Sequence, residues 1–258
     1  MNAPNESAEK PPMRTGRTFE ILLIILLDAL LIFSLFLFFP LLTGSANRSL
    51  NSSNWSGYVV ATNLNNPHPS VTEIEASWAV PAVSVSRTNS YSAAWVGIGG
   101  EFDTSLIQAG TEQDSINGVG KYYAWYELLQ NNAVTVDSLH ITPGDQITAS
   151  ISLTSANTWL IEINDSVSGQ YYRSVFYISS MLSAEWIVER PKINGVLTNL
   201  ADFSELTFTS CAATVGGKVD TIRNLPYIQV TMYNQNMQLA RISPPASNGS
   251  SFTINYLP

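Results

Sequence analysis

The class of fold is set by the stretch Val71-Thr-Glu-Ile-Glu-Ala-Ser-Trp-Ala-Val80. Apolar and polar side chains alternate along it, so that Ile74 and Trp78 share one face while Glu73 and Glu75 share the other. Successive side chains of a β-strand point to opposite faces, and a period of two is therefore typical of a strand with one buried face. The stretch predicts a half-buried β-strand.

Similar short strands are predicted along the rest of the body. They fall at residues 56–61, 92–98, 105–109, 121–129, 146–153, 158–164, 170–178, 183–189, 205–210, 227–233, 238–242 and 252–256. Gly, Pro, Asn and Asp mark the turns between them, and no stretch after residue 54 keeps a helical period for three turns. This pattern predicts one all-β domain over residues 54–258, a β-sandwich or jelly roll.

The amino-terminal part has a different composition. Residues 1–18 are polar and contain lysine and arginine, whereas residues 19–43 include an almost unbroken apolar run. A bilayer span needs about 20 such residues, and basic residues before a span keep the amino end in the cytoplasm. We therefore predict a cytoplasmic tail at 1–18, one transmembrane helix at 19–43 and a polar tether at 44–53.

Two interpretations of the apolar segment stay open. A signal anchor would hold the protein in the cell membrane as a single-pass protein with its body outside. The apolar run favours this, because it exceeds the about 7–15 residues of a signal-peptide core. A cleavable signal peptide would instead release the body, and Gly44-Ser-Ala46 supplies small residues at a suitable place. Asp28 is costly within a span, and three explanations stay open for it: a protonated carboxyl, a partner, or a function.

The amino-acid composition argues against several classes of function and of site. The formal net charge of −8 argues against a nucleic-acid partner, which selects basic surfaces, and is a weak pointer to work at low pH. The one cysteine, Cys211, excludes a disulfide within the chain and a cysteine-based metal cluster. The two histidines, His68 and His140, are far apart in sequence and disfavour a Ser-His-Asp triad. We predict no metal, no cofactor and a monomer.

The run Ala184-Glu-Trp-Ile-Val-Glu189 places two carboxylates in an apolar, strand-forming sequence. By alternation Glu185, Ile187 and Glu189 share one face, while Trp186 lies on the other. Either the strand is half-solvated with both glutamates in water, or it holds a carboxylate rigidly for acid–base chemistry. The run alone does not decide between the two.

Two other segments are unusual for a plain sandwich. Gln108 lies inside the apolar strand Leu106-Ile-Gln-Ala-Gly110, where a buried amide needs hydrogen-bond partners and serves either structure or chemistry. In Lys121-Tyr-Tyr-Ala-Trp-Tyr-Glu127, Tyr123 and Trp125 share a face with the terminal glutamate. Such aromatics either line a groove for peptide or sugar or are simply covered by the fold.

In order and approximate spacing these motifs resemble those of the glutamic peptidases, also called eqolisins. Asn54-Trp-Ser-Gly57, Trp95-Val-Gly-Ile98 and Phe208-Thr-Ser-Cys211 add to the resemblance, which covers essentially all of residues 54–258. The chain resembles a prokaryotic-type member of this family with an N-terminal membrane segment. The resemblance implies a sandwich of two strongly bent antiparallel sheets, jelly-roll or concanavalin-like, with the active site on the concave face of one sheet.

The resemblance also implies the activity, an acid-acting endopeptidase for protein or peptide substrates. The catalytic pair falls on Gln108 and Glu189, so that Glu185 is structural or supporting. The positions that line or support the substrate cleft are those of Trp55, Glu112, Trp125 and Glu127.

Some residues depart from the family pattern. Familiar fungal members carry aspartates at the positions of Gly99, Glu112 and Tyr123, and acidic residues where Arg190 and Lys192 follow the catalytic glutamate. These departures leave the catalytic pair intact. They change the charge of the cleft, on which the pH optimum and the substrate preference depend.

Two other functions fit parts of the sequence. A glycoside hydrolase on a jelly-roll fold would use Glu127 and Glu189 as paired carboxylates and Trp125 as a sugar platform. A non-enzymatic sandwich would bind glycans or a partner through Trp55, Tyr123 and Trp125. The activity of a glycoside hydrolase would depend on Glu127 and little on Gln108. A non-enzymatic binding protein would show no proteolysis at any pH.

Overall fold

The computed structural model describes residues 47–258. The cytoplasmic tail and the transmembrane helix predicted at 1–18 and 19–43 lie outside the described residues. Within residues 47–258, helix is confined to a single 3-10 turn at Ile222–Asn224, and nothing helical has the length and hydrophobicity of a membrane span.

Nineteen strands make up this part of the chain. In order they are β1 (Arg48–Ser52), β2 (Trp55–Val60), β3 (Val71–Ala79), β4 (Ala93–Gly99), β5 (Leu106–Ile116), β6 (Val119–Leu128), β7 (Val134–Thr135), β8 (Gln146–Ser155), β9 (Thr158–Asp165), β10 (Gly169–Phe176), β11 (Ala184–Glu189), β12 (Lys192–Ile193), β13 (Val196–Leu197), β14 (Glu205–Val215), β15 (Lys218–Asp220), β16 (Tyr227–Asn234), β17 (Met237–Gln238), β18 (Ala240–Ile242) and β19 (Phe252–Tyr256).

The strands form two large sheets. The nine-stranded front sheet has the order β1-β16-β2-β11-β4-β5-β6-β7, with β17 beside β16. The eight-stranded back sheet has the order β10-β9-β8-β3-β14-β19-β18, with β15 beside β14, and β12 and β13 form a separate hairpin. The predicted all-β class with two sheets is confirmed. Neighbouring strands are antiparallel except β1 and β16, which are parallel.

The core lies between the two sheets, and two buried tryptophans tie them together. Trp186 on β11 of the front sheet donates its indole N–H to the backbone oxygen of Glu75 on β3, at 2.9 Å. Trp78 on β3 of the back sheet donates to Thr111 Oγ1 on β5, at 3.0 Å. A buried indole N–H requires such an acceptor, so each tryptophan fixes the facing of its strand as well as filling the core.

Two parts of the front sheet differ from the sequence-based expectation. Residues 48–52, expected within the polar tether at 44–53, form β1 at the sheet edge. Edge pairing uses only backbone groups, so exposed polar side chains do not prevent it. Strand β5 was predicted to end at Ala109 but continues to Ile116 through a polar run that is almost wholly buried. Thr111 Oγ1 accepts from Trp78 and donates to Gln113 Oε1, whereas Gln113 Nε2 and Asp114 Oδ1 have no partner among the described residues.

We expect Trp186→Ala to lower the free energy of unfolding by about 4 kcal/mol, because it leaves a cavity and an unpaired carbonyl between the sheets. Urea denaturation measures this loss. The matched control is Tyr172→Ala on β10, whose side chain is 70% exposed and whose loss should stay within about 0.5 kcal/mol. Equal losses in both variants would contradict the role given to Trp186.

Candidate active site

A cleft of about 910 Å³ opens on the face of the front sheet that is turned away from the core. Its position follows from strand alternation, because Trp186 and Val188 point into the core and their neighbours point the other way. The cleft brings together every site residue predicted from the sequence, namely Trp55, Gln108, Glu112, Trp125, Glu127 and Glu189.

Strand register arranges these side chains in rows across the sheet. Glu189 on β11 lies opposite Trp55 on β2 and Ala93 on β4, and Ala93 lies opposite Glu112 on β5. Gln108 on β5 lies opposite Glu127 on β6. The cleft therefore has a rigid floor, with each polar group fixed by its place in a hydrogen-bonded sheet.

Both carboxylate oxygens of Glu189 accept a hydrogen bond. Asn54 Nδ2 donates to Oε1 at 2.9 Å, and Trp95 Nε1 donates to Oε2 at 3.0 Å. Burial raises the pKa of Glu189, and these two donors oppose the rise by stabilising the ionised form. The result is an oriented carboxylate, partly open to the cleft, that accepts a proton more readily than an ordinary glutamate does.

Gln108 is held by Glu127. Its Nε2 donates to Glu127 Oε2 at 2.6 Å. An ionised carboxylate can only accept, and this fixes which end of the amide faces Glu127. The amide oxygen of Gln108 is buried and has no protein partner among the described residues. One N–H hydrogen and the amide oxygen thus have no protein partner within residues 47–258.

A pair of buried carboxyls, Glu112 and Asp114, lines the cleft beside Glu189. Burial raises the pKa of Asp114 to about 7. Burial, followed by the charges of Asp114 and Glu189, raises the pKa of Glu112 well above its usual range. The pair therefore keeps at least one proton in acid. Within residues 47–258, no group of three or more His, Cys, Asp or Glu side chains is placed to hold a metal ion.

Sequence reasoning missed three members of the site. Asn54 and Trp95 lie in the motifs quoted above, but neither was given a role. Asp114 was missed because β5 was expected to end at Ala109, although an alternating pattern from Gln108 onward would have placed it on the cleft face. Glu185, the other carboxylate of β11, is fully buried and does not line the cleft.

The aromatic residues wall the cleft. The rings of Trp55 and Trp95 meet edge to face with centroids 5.1 Å apart. Trp125 is buried in the same cluster, and Tyr123 packs against it from β6. Tyr122, Ala124 and Tyr126 of the same strand contact the core on the opposite face. One face of β6 therefore belongs to the core and the other to the cleft.

The sequence profile of the Peptidase A4 family matches residues 53–256. The chain belongs to the Peptidase A4 family. It is 26% identical over 241 residues to aspergillopepsin-2 of Aspergillus niger, covering 84% of this chain and 81% of that protein. Scytalidopepsin B of Scytalidium lignicola is 25% identical over 226 residues, with 83% and 81% covered.

Solved structures of this family share the fold. The crystal structure of scytalido-glutamic peptidase with a transition state analog inhibitor has a TM-score of 0.68 at 23% identity, covering 80% of this chain and 99% of that one. Aspergilloglutamic peptidase from Aspergillus niger has a TM-score of 0.59 at 26% identity, covering 65% and 99%. This A4 peptidase is thus a glutamic endopeptidase, as its motifs predicted. The roles of individual residues stay predictions.

The carboxyls of the cleft predict how stability depends on pH. A carboxyl whose pKa is raised by folding stabilises the fold below its unfolded value and loses that effect as pH rises through the folded value. For Asp114 these values are 3.8 and about 7. We expect the free energy of unfolding to fall over this range by about 1.4 kcal/mol per pH unit for each proton involved.

Urea denaturation at several pH values measures this slope. Asp114→Asn should flatten it, because the asparagine does not titrate. The matched control is Asp137→Asn, a change of an exposed aspartate that does not line the cleft, which should leave the slope as in the wild type. Stability that rises between about pH 4 and 7 in the wild type would contradict the expectation.

Proposed function

We propose that this peptidase hydrolyses peptide bonds in acid with the pair Gln108 and Glu189. The observation that carries the proposal is the polar arrangement of the cleft. Glu189 is oriented by two N–H donors, and Gln108 is oriented by Glu127 with one N–H hydrogen and its oxygen free. A base and an oxyanion donor on a rigid floor are what addition of water to an amide requires.

In the first step the Glu189 carboxylate takes a proton from a water molecule, whose oxygen forms a bond to the scissile carbonyl carbon. The free amide oxygen of Gln108 accepts the other hydrogen of the water and orients it. Electrons of the C=O bond move to the carbonyl oxygen, and the Gln108 N–H group stabilises the negative charge that develops there.

In the second step Glu189 returns its proton to the nitrogen of the leaving amine. The C–N bond breaks, the carbonyl re-forms, and the products are a carboxylic acid and an amine. Burial raises the pKa of Glu189 and so stabilises its protonated form, which is the general acid of this step. Trp55, Glu112 and Trp125 would contact the protein or peptide substrate along the cleft.

We expect Gln108→Ala to lower kcat/KM for a denatured protein substrate by about 100- to 1,000-fold, since the oxyanion donor is lost. Glu189→Gln, which cannot take a proton, should abolish cleavage across about pH 2 to 7. The matched controls are Gln170→Ala and Glu205→Gln, which make the same chemical changes at exposed positions of the back sheet and should leave cleavage unchanged.

Three results would redirect the proposal. Cleavage that survives Glu189→Gln would overturn the pair. Hydrolysis of a glycan that needs Glu127 but not Gln108 would favour the glycoside hydrolase. Ligand binding without proteolysis at any pH would favour a binding protein. The bond between Gln108 and Glu127 speaks for the peptidase, because it uses Glu127 to orient an amide.

We further infer, from the sequence of residues 1–46, that this is a prokaryotic-type member anchored in the cell membrane by a single span at 19–43, with a monomeric catalytic body outside. Basic residues before the apolar run and the length of that run support the inference.

Membrane fractionation and a mass spectrum of the mature protein test the anchor. We expect the protein in the membrane fraction after alkaline wash, with a mass that includes residues 1–46. A soluble exported form whose first residue lies close to Ala46 would show instead that the segment is a cleaved signal peptide.

A further inference from the structure

Arg190 follows the predicted catalytic glutamate directly and is buried, with 6% of its surface exposed. No carboxylate among residues 47–258 forms an ion pair with it. A buried charge without an ionic partner is costly, and burial lowers the pKa of the guanidinium. The hydrogen bonds that Arg190 forms should therefore explain why it is buried.

Arg190 donates two hydrogen bonds to the segment before β2, one from its guanidinium and one from its backbone N–H. Its Nη2 donates to the carbonyl of Ser53 at 2.7 Å, and its backbone N–H donates to the carbonyl of Asn54 at 2.8 Å. Hydrogen bonds whose donor is ionised are among the stronger ones in proteins. Arg190 therefore holds two successive peptide carbonyls from the side of β11.

The same segment also contains hydrogen bonds of its own, which the Ser52 side chain accepts. The Oγ of Ser52 accepts from the backbone N–H of Asn54 at 3.2 Å and from that of Trp55 at 3.1 Å. The turn from Ser52 to Trp55 is thus held by Arg190 and by hydrogen bonds within the turn itself. The side chain that it presents to the cleft is the Asn54 amide, which donates to Glu189 Oε1.

We propose that Arg190 is a positioning residue, which holds the Ser52–Trp55 turn so that the Asn54 amide stays bonded to Glu189. It acts through this turn, because its hydrogen bonds go to backbone carbonyls and not to the Glu189 carboxylate. Its effect on catalysis rests on the function proposed above for Glu189.

The test compares Arg190→Met, Arg190→Lys and Asn54→Ala in the full-length protein. The pKa of Glu189 is followed by NMR of 13C-labelled glutamate, with the signal assigned from Glu189→Gln. Loss of an N–H donor destabilises the ionised form, so Arg190→Met and Asn54→Ala should each raise this pKa by about one unit. The acidic limb of kcat/KM should move upward with it, and activity below it should fall about tenfold.

Arg190→Lys keeps a donor and should restore most of the wild-type pKa. Adding Arg190→Met to Asn54→Ala should produce no further shift, because both changes remove the same bond. Arg190→Gln, polar but too short to reach Ser53, replaces Arg190→Met if that variant does not fold. The matched control is Arg173→Met at an exposed position of β10, which should leave the pKa of Glu189 unchanged.

A loss of thermal stability in Arg190→Met with an unchanged pKa of Glu189 would overturn the proposal and leave Arg190 a purely structural role. Additive shifts in the double variant would overturn it as well. Because the titration needs no turnover, failure of the proposed function is seen separately. In that case the pKa moves as described while cleavage does not depend on Glu189.

Discussion

The hydrogen bond from the Trp186 indole to the backbone of β3 fixes which face of β11 looks into the core. Side chains alternate along a strand, so a slip of one residue would carry Glu189 into the core and Trp186 into the cleft. The register of β11 with β2 and β4 then sets where Glu189 stands relative to Trp55 and Ala93. The geometry of the site is thus inherited from the packing of the sandwich.

Burial is the physical effect that sets the protonation of the cleft carboxyls. It raises the pKa of Glu112, Asp114, Glu127 and Glu189, which are brought close together on one sheet face. Four ionised carboxylates in so small a space would repel one another strongly. Protonation in acid relieves this repulsion, so these groups stabilise the fold more as the pH falls.

Much of the fold could be predicted because the core strands show their period in the sequence. In β3, Ile74, Ala76 and Trp78 are buried as their spacing indicates, and β19 has the predicted bounds, Phe252–Tyr256. Strand β1 could not be predicted, since an edge strand bonds through its backbone and leaves no side-chain pattern. The end of β5 was missed because its buried polar run looks like a surface sequence, although side-chain alternation continues from Gln108 onward.

The site likewise contains residues that could be predicted from the sequence and residues that could not. The resemblance to the glutamic peptidases implied that Gln108 and Glu189 act together, and both line one cleft. The contacts of Arg190 and Asn54 depend on a turn that joins residues about 135 positions apart. Such a contact comes from tertiary structure and leaves no local signal.

The bond between Glu127 and Gln108 has a consequence for the lower pH limit of the enzyme. A protonated carboxyl donates as well as accepts, so Glu127 no longer distinguishes the two ends of the amide once it is protonated, and burial raises the pKa at which this happens. The amide group of Gln108 is then free to rotate by half a turn and present its oxygen where the N–H group stood. Loss of activity as the pH falls through the pKa of Glu127 would in that case be a change of conformation at one amide, reversed as soon as Glu127 ionises again.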